Sequence, residues 1–229
     1  MDEFLKYISS FDPDFPRTIS GASDEEIEAF ERLTAVTFPT IYRDFLSRMG
    51  RGTGTLVVAW DCTFEIDRLI ELYREAVIPG EIEVPPEHVI IGSGGVVVEQ
   101  AYLQVDERGG SRVFYLGEDE TLNLYAEAFD KLLFRLAFTK YQPPRHKYVA
   151  QLAGVTIEPV IEKARGLATS LGFEEQWFSD SIAFCGVKEN AALIINQYEQ
   201  GAPLVIAASQ DKADLDAIKK TFKASLNLS

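Results

Sequence analysis

An α+β fold in two domains is predicted by three observations. Apolar residues recur at helical spacing through residues 23–77, strand-like runs cluster from Val89 to Gly117, and Tyr141-Gln-Pro-Pro-Arg-His-Lys147 interrupts both patterns. Strands grouped between helices, without strict βαβ alternation, point to α+β rather than to a doubly wound sheet. Adjacent prolines cannot continue a helix and favour extended backbone. Residues 1–145 and 146–229 are therefore expected to be separate domains.

The first domain opens helical. Ser23 followed by Glu26 fits a capping box, with Ile27, Phe30 and Leu33 at helical spacing behind it. Pro39 suits the first turn of a second helix, on which Tyr42, Phe45, Leu46 and Met49 share one face. Gly50-Arg-Gly-Thr-Gly54 ends it. Thr55 to Trp60 is β-branched and apolar and reads as a strand. Residues 65–77 form a third helix, burying Ile66, Leu69, Ile70, Tyr73 and Val77. Pro79, Gly80, Pro85 and Pro86 mark an irregular stretch. Further strands are expected at Val89–Gly92, Val96–Val105 and Ser111–Gly117, with Asp106-Glu-Arg-Gly-Gly110 as a hairpin loop. A fourth helix covers 124–140. The strands between 55 and 117 are expected to make a mixed sheet of about five or six. Phe30, Tyr42, Phe45, Leu46, Trp60, Leu69, Phe129 and Leu133 should be buried together. The second domain reads as a helix over 157–171, short strands between 174 and 208, and a closing helix over 211–225. Its apolar runs Ala191–Ile195 and Leu204–Ala207 suit buried strands.

The charge excludes some partners. There are 36 acidic and 22 basic residues, for a net of -14. Neither a nucleic acid nor an anionic membrane surface suits such a chain, since both are recognised through Lys and Arg. No run approaches the ~20 apolar residues of a membrane span. The N-terminus MDEFLKYISSFDPDF has acids where a secretory signal is basic and apolar, so a cytoplasmic location is expected. Two cysteines, Cys62 and Cys185, make no disulfide framework. The excess is uneven: residues 1–150 hold 26 acids against 15 bases, and residues 151–229 hold 10 against 7.

Motifs for chemistry are missing. His88 and His146 are 58 positions apart and lie outside ligand spacing of either cysteine, so no metal site is expected. The close acids Asp24, Glu25, Glu26 and Glu28 are explained by the positive end of a helix dipole. Ile91-Gly-Ser-Gly-Gly95 has Val97 where a dinucleotide loop needs its third glycine, and it leads into a β-branched run rather than a helix. Ile91 likewise stands where a nucleophile elbow around Ser93 needs its first glycine. Gly50-Arg-Gly-Thr-Gly54 lacks the Gly-Lys-Ser/Thr ending of a P-loop. No cofactor and no catalytic residue is expected.

One longer pattern remains. Residues 24–50, DEEIEAFERLTAVTFPTIYRDFLSRMG, join an acidic helix containing Glu31 to a Phe38-Pro39 step. A Tyr42-x-x-Phe45-Leu46 helix follows and ends at Gly50. Pro85-Pro86 then precedes Ile91-Gly92, a hairpin spans Asp106 to Leu116, and a Phe-x-x-Leu-type helix spans Phe129 to Leu136. In this order the features resemble the SUKH superfamily, which is named in part for a yeast regulator of cell-wall synthesis. The resemblance covers residues 20–140 or so. It departs at Met49-Gly50, where the family usually shows Asn-Gly, and near Glu99-Gln100, where the family commonly has an Asp.

The resemblance implies a non-enzymatic α+β binding scaffold, whose bacterial members are mostly immunity proteins that bind a toxin in the cytosol. Many such toxins act on nucleic acid and are cationic, and a -14 chain would be steered towards them. The acids expected to meet the toxin are Glu118, Asp119 and Glu120, with Asp106 and Glu107 as the other dense cluster. The alternatives are a regulatory scaffold without a toxin, as in the yeast branch, and a hydrolase or transferase with an unrecognised site. The second domain has no assigned role.

Overall fold

Seven α-helices and three antiparallel sheets form among the described residues, which in the computed structural model are 1–58, 62–94, 100–105, 109–117, 121–154, 159–198, 201–226 and 228. The α+β class is thus observed. The chain divides into two compact units, Met1–Leu133 and Phe134–Ser229. The proline-rich segment that marks the expected boundary at 145 forms a 3-10 turn, Pro143–Arg145.

In the first unit, helix α1 (Asp2–Ser9) buries Phe4 and Ile8, one turn apart. The short strand β1 (Ile19–Ser20) leads into α2 (Asp24–Thr34). Its capping box is complete: the Glu26 N–H donates to Ser23 Oγ at 3.3 Å, and the Ser23 N–H donates to the Glu26 carboxylate at 2.8 Å. Just before the box, a Cβ on Gly21 would sit 1.9 Å from the Ser47 carbonyl, so only glycine lets this segment lie against the next helix. That helix, α3 (Thr40–Met49), starts after Pro39 and ends at Gly50. Strand β2 (Gly52–Thr53) pairs with β1. Helix α4 (Ile66–Leu72) then widens into a π turn, Tyr73–Val77, closed by the Ile78 N–H on the Tyr73 carbonyl at 2.8 Å.

The main sheet of this unit is a meander of β3 (His88–Ser93), β4 (Gln100–Gln104), β5 (Val113–Leu116) and β6 (Leu122–Ala126). The register of β3 against β4 shifts between Ile90 and Gly92, and the Tyr73 hydroxyl accepts the Ile90 N–H there at 2.9 Å. Three sequence expectations are corrected. The sheet has four strands among the described residues and is antiparallel throughout, not mixed with five or six strands. Thr55–Val58 lies outside any strand, because the β-partner of this region is the glycine-containing Gly52–Thr53. Residues 124–126, expected to begin a helix, belong to β6: Leu124 pairs with Phe114 and Ala126 with Val113, which extends the meander before the chain turns helical. Trp60, expected in the core, lies outside the described residues.

The core of the first unit is a connected set of aromatic rings. Tyr73 meets Phe30 edge-on at 5.6 Å, Phe30 meets Phe38 at 5.1 Å, and Phe38 meets Tyr42 at 5.1 Å. Tyr42 and Phe45 are stacked, and both receive the edge of Phe129 at 5.3 and 5.0 Å. Phe30, Tyr42, Phe45, Leu46, Leu69, Phe129 and Leu133 are fully buried, as the apolar spacing predicts. The Tyr42 hydroxyl has no hydrogen-bond partner among the described residues, and burial pushes its ionisation well above the ordinary tyrosine value.

Helix α5 (Phe129–Tyr141) carries the division between the units. Within the second unit, its Phe134 and Phe138 pack on Phe178, and Arg135 makes a buried ion pair with Asp180 at 3.3 Å. Strands β7 (Tyr148–Ala153), β8 (Glu174–Glu175), β9 (Ala183–Lys188), β10 (Ala191–Asn196) and β11 (Leu204–Ser209) form one antiparallel sheet, ordered β7-β11-β10-β9-β8. Helices α6 (Ile161–Ser170) and α7 (Lys212–Leu226) share a core with the face carrying Leu152, Phe184, Leu193, Ile195 and Val205.

Phe45 contacts two other rings and has no exposed surface, so Phe45→Ala should lower the unfolding free energy by roughly 3–5 kcal/mol. The shift of the urea midpoint checks this. A loss below about 1 kcal/mol would mean that the ring set does not act as the core.

Candidate protein-binding surface

The two units differ in charge far more than the sequence boundary at 145 suggests. Residues 1–133 carry 26 acids and 11 bases, a net of -15, whereas residues 134–229 carry 10 acids and 11 bases, a net of +1. Buried faces of the first unit are taken by aromatic and aliphatic side chains, so the acids are pushed onto the outer faces of its helices.

Helices α2 and α4 frame one such region. A groove of about 640 Å³ lies between them, lined by the carboxylates of Glu25, Glu26, Asp67, Glu71 and Glu75 and by the guanidinium of Arg74. Ala29 and Ile70 supply its apolar part. Arg51 joins the two helices: it ion-pairs with Glu26 and reaches Asp67 at 3.4 Å. The Arg51 hydrogen bond and the Ser23 N–H together hold the Glu26 carboxyl at about 2, well below the ordinary carboxylate range. Glu71 pairs with Arg68 at 2.9 Å. Glu25 and Glu75 are exposed and face the groove without an ion-pair partner among the described residues.

Glu31, the acid of the family-like helix, does something else. Its side chain is only 14% exposed. One carboxylate oxygen accepts the Phe38 N–H at 2.8 Å and the other ion-pairs with Arg43. It therefore closes the loop between α2 and α3 and fixes where the Phe38-Pro39 step enters the core.

The acids singled out from the sequence, Asp106, Glu107, Glu118, Asp119 and Glu120, lie outside the described residues. The residues around them are described. Gln104 donates to the Arg112 carbonyl at 2.8 Å and Gly117 to the Thr121 carbonyl at 2.8 Å, so the two connections close hairpins at opposite ends of β5. The element after Thr121 is strand β6, not a helix as expected. Of the groove acids, Glu25 and Glu26 are expected from the sequence only to cap a helix and complement its dipole, and Asp67, Glu71 and Glu75 carry no expectation, although they recur every four residues and so mark one face of a helix.

Among the described residues no group of three or more His, Cys, Asp and Glu could hold a metal ion. His88 and His146 turn Nδ1 to the backbone carbonyls of Pro86 and Gln142. Cys185 is buried, and burial pushes its thiol up to about 12. No helix among the described residues is long and apolar enough to cross a membrane.

Two substitutions test these roles. Glu31→Ala should cost about 1–3 kcal/mol by leaving the Phe38 N–H unpaired, and Glu31→Gln should recover much of it; equal urea midpoints for both variants would contradict the loop-closing role. For Glu26, a depressed folded value means that its stabilisation is present above the unfolded value of about 4.5 and disappears as pH falls towards about 2. Wild type should therefore melt a few degrees above Glu26→Gln at pH 7, and the difference should vanish between pH 4.5 and 2. A Tm difference independent of pH would rule out this charge as its source.

Comparison with known proteins places this geometry. No curated protein and no solved structure matches the chain. A family model does, over residues 21–135, from the segment before the α2 capping box to the middle of α5. Half of the chain is matched, including Glu31, the Phe38-Pro39 step and the buried Tyr42, Phe45 and Phe129. The chain belongs to the SMI1 / KNR4 family (SUKH-1).

Proposed function

We propose that this protein is a non-enzymatic, immunity-type binding protein that neutralises a cognate cationic toxin domain by docking it on the acid-rich first unit. The observation that carries the reading is the charge of the family-matched region. Residues 21–135 hold 22 acids and 10 bases, a net of -12, within a family associated with toxin immunity and with regulation through protein partners. Steering acts over about 8 Å at physiological salt, so local clusters matter more than the total. The groove between α2 and α4 offers Glu25 and Glu75 as acids free to meet a cationic side chain. Asp106, Glu107, Glu118, Asp119 and Glu120 complete the proposed field from the two hairpin connections. Masking a toxin surface needs no catalytic group.

Co-expression with a toxin C-terminal domain encoded beside this gene, followed by co-purification, tests the reading. A stable complex supports it. Several housekeeping partners without a toxin would favour the regulatory branch of the family, and a neighbourhood with no toxin gene would count against immunity. With the toxin domain in hand, Glu25→Lys with Glu75→Lys should slow association at least about tenfold at low salt and flatten its salt dependence. Reversing Glu118, Asp119 and Glu120 should do the same where that connection meets the partner. Tm should stay nearly unchanged in both cases. An association rate unaffected by either set would remove these acids from the interface.

A further inference from the structure

The groove between α2 and α4 has an apolar floor as well as acids. Ala29 of α2 and Ile70 of α4 both line it, and both are half-buried. The π turn after α4 lengthens this floor. Eight residues of regular α-helix would leave Ile78 about 80° around the axis from Ile70. A π turn takes in one extra residue, which brings that angle back to about 20° and sets Ile78 in line with Ile70. Ile78 keeps helical backbone angles at the end of the turn, and it is 62% exposed.

Carboxylates flank the apolar line from both helices. Glu25 stands on α2, and Asp67, Glu71 and Glu75 follow one another along α4 and its π turn. Arg51 engages Glu26 and Asp67, and Arg68 engages Glu71, which leaves Glu25 and Glu75 for an incoming cation. Arg74 is exposed, lines the same groove and has no ion-pair partner among the described residues. An apolar floor between acid rims is the complement of a helix that carries an apolar stripe between basic flanks.

We propose that this groove seats one basic amphipathic helix of the protein partner. The apolar stripe of that helix covers Ala29, Ile70 and Ile78, and its Lys and Arg residues meet Glu25 and Glu75. The inference rests on the reading of this protein as a binder of a cationic domain, and it specifies which element of that domain is held. Arg74 repels a base from the middle of the seat, so the bases belong on the flanks. An extended segment fits less well, because alternate side chains point to opposite faces and one face offers a single row. A helix presents its stripe and both flanks to the same side.

The probe is a labelled peptide of about 18 residues, with leucines at helical spacing along one stripe and lysines on both sides of it. Fluorescence anisotropy against the full chain at about 0.15 M salt measures its binding. A scrambled peptide of the same composition reports charge alone, and a copy broken by a central proline reports helicity. The intact peptide should bind at least about tenfold more tightly than either control. Ile78→Ser should weaken it at least about threefold while leaving the scrambled peptide unaffected, and Glu25→Lys with Glu75→Lys should weaken both peptides. These residues are exposed, so Tm should stay nearly unchanged and show that the variants fold. Equal binding of either control, or indifference to Ile78→Ser, would overturn the proposal. The toxin domain separates it from the reading on which it rests. A toxin complex insensitive to Ile78→Ser would overturn the helix seat and leave immunity standing. Failure to bind the toxin, with the peptide preference intact, would overturn immunity and support the seat.

Discussion

The edge-to-face contact of Phe129 with Tyr42 and Phe45 is the constraint on which the rest of the first unit depends. It joins the start of α5 to the buried face of α3, and the ring set continues through Phe38 and Phe30 to Tyr73 in the π turn. From Tyr73 a hydrogen bond reaches Ile90, at the point where the β3–β4 register shifts. Helices far apart in sequence thus meet through rings whose preferred geometry is directional as well as apolar. The buried Tyr42 hydroxyl shows how strongly packing dominates, since a polar group is carried into the core without a hydrogen-bond partner among the described residues.

Two carboxylates translate this packing into a surface. Glu31 closes the loop that delivers Phe38, and Glu26 caps α2 while holding Arg51, which reaches on to Asp67 of α4. Both acids are used inside the fold, and both belong to the run that the family-like pattern begins with. The acids left over, Glu25 and Glu75 among them, face water along the same two helices. A single acidic segment therefore serves two ends: part of it fixes helix positions, and the remainder gives the unit its charge. The second unit balances its acids and bases and buries one ion pair, Arg135 with Asp180, so its surface invites a different kind of contact.

The α+β class, the capping box at Ser23, the apolar faces of α3 and α4 and the family pattern were all legible in the residues. Each depends on near neighbours in the chain, on spacing and on side-chain chemistry. The same holds for the buried set around Phe45, because a 3.6-residue period assigns a face before any partner is known. What only the tertiary structure decided were pairings. Leu124–Ala126 is strand because Phe114 and Val113 lie opposite it, and β2 falls at Gly52–Thr53 because β1 lies beside it. Glu31 looks like any solvated helix acid until Phe38 is brought to it, and Glu26 looks like a helix cap alone until Arg51 is brought to it. The edge position of β7 is likewise decided by strand order, and an uncharged six-residue run reads the same at the centre of a sheet as at its rim. Local pattern specifies which face of an element is apolar; which groups meet across that face, and which backbone amides remain outside it, depends on contacts between residues distant in the chain.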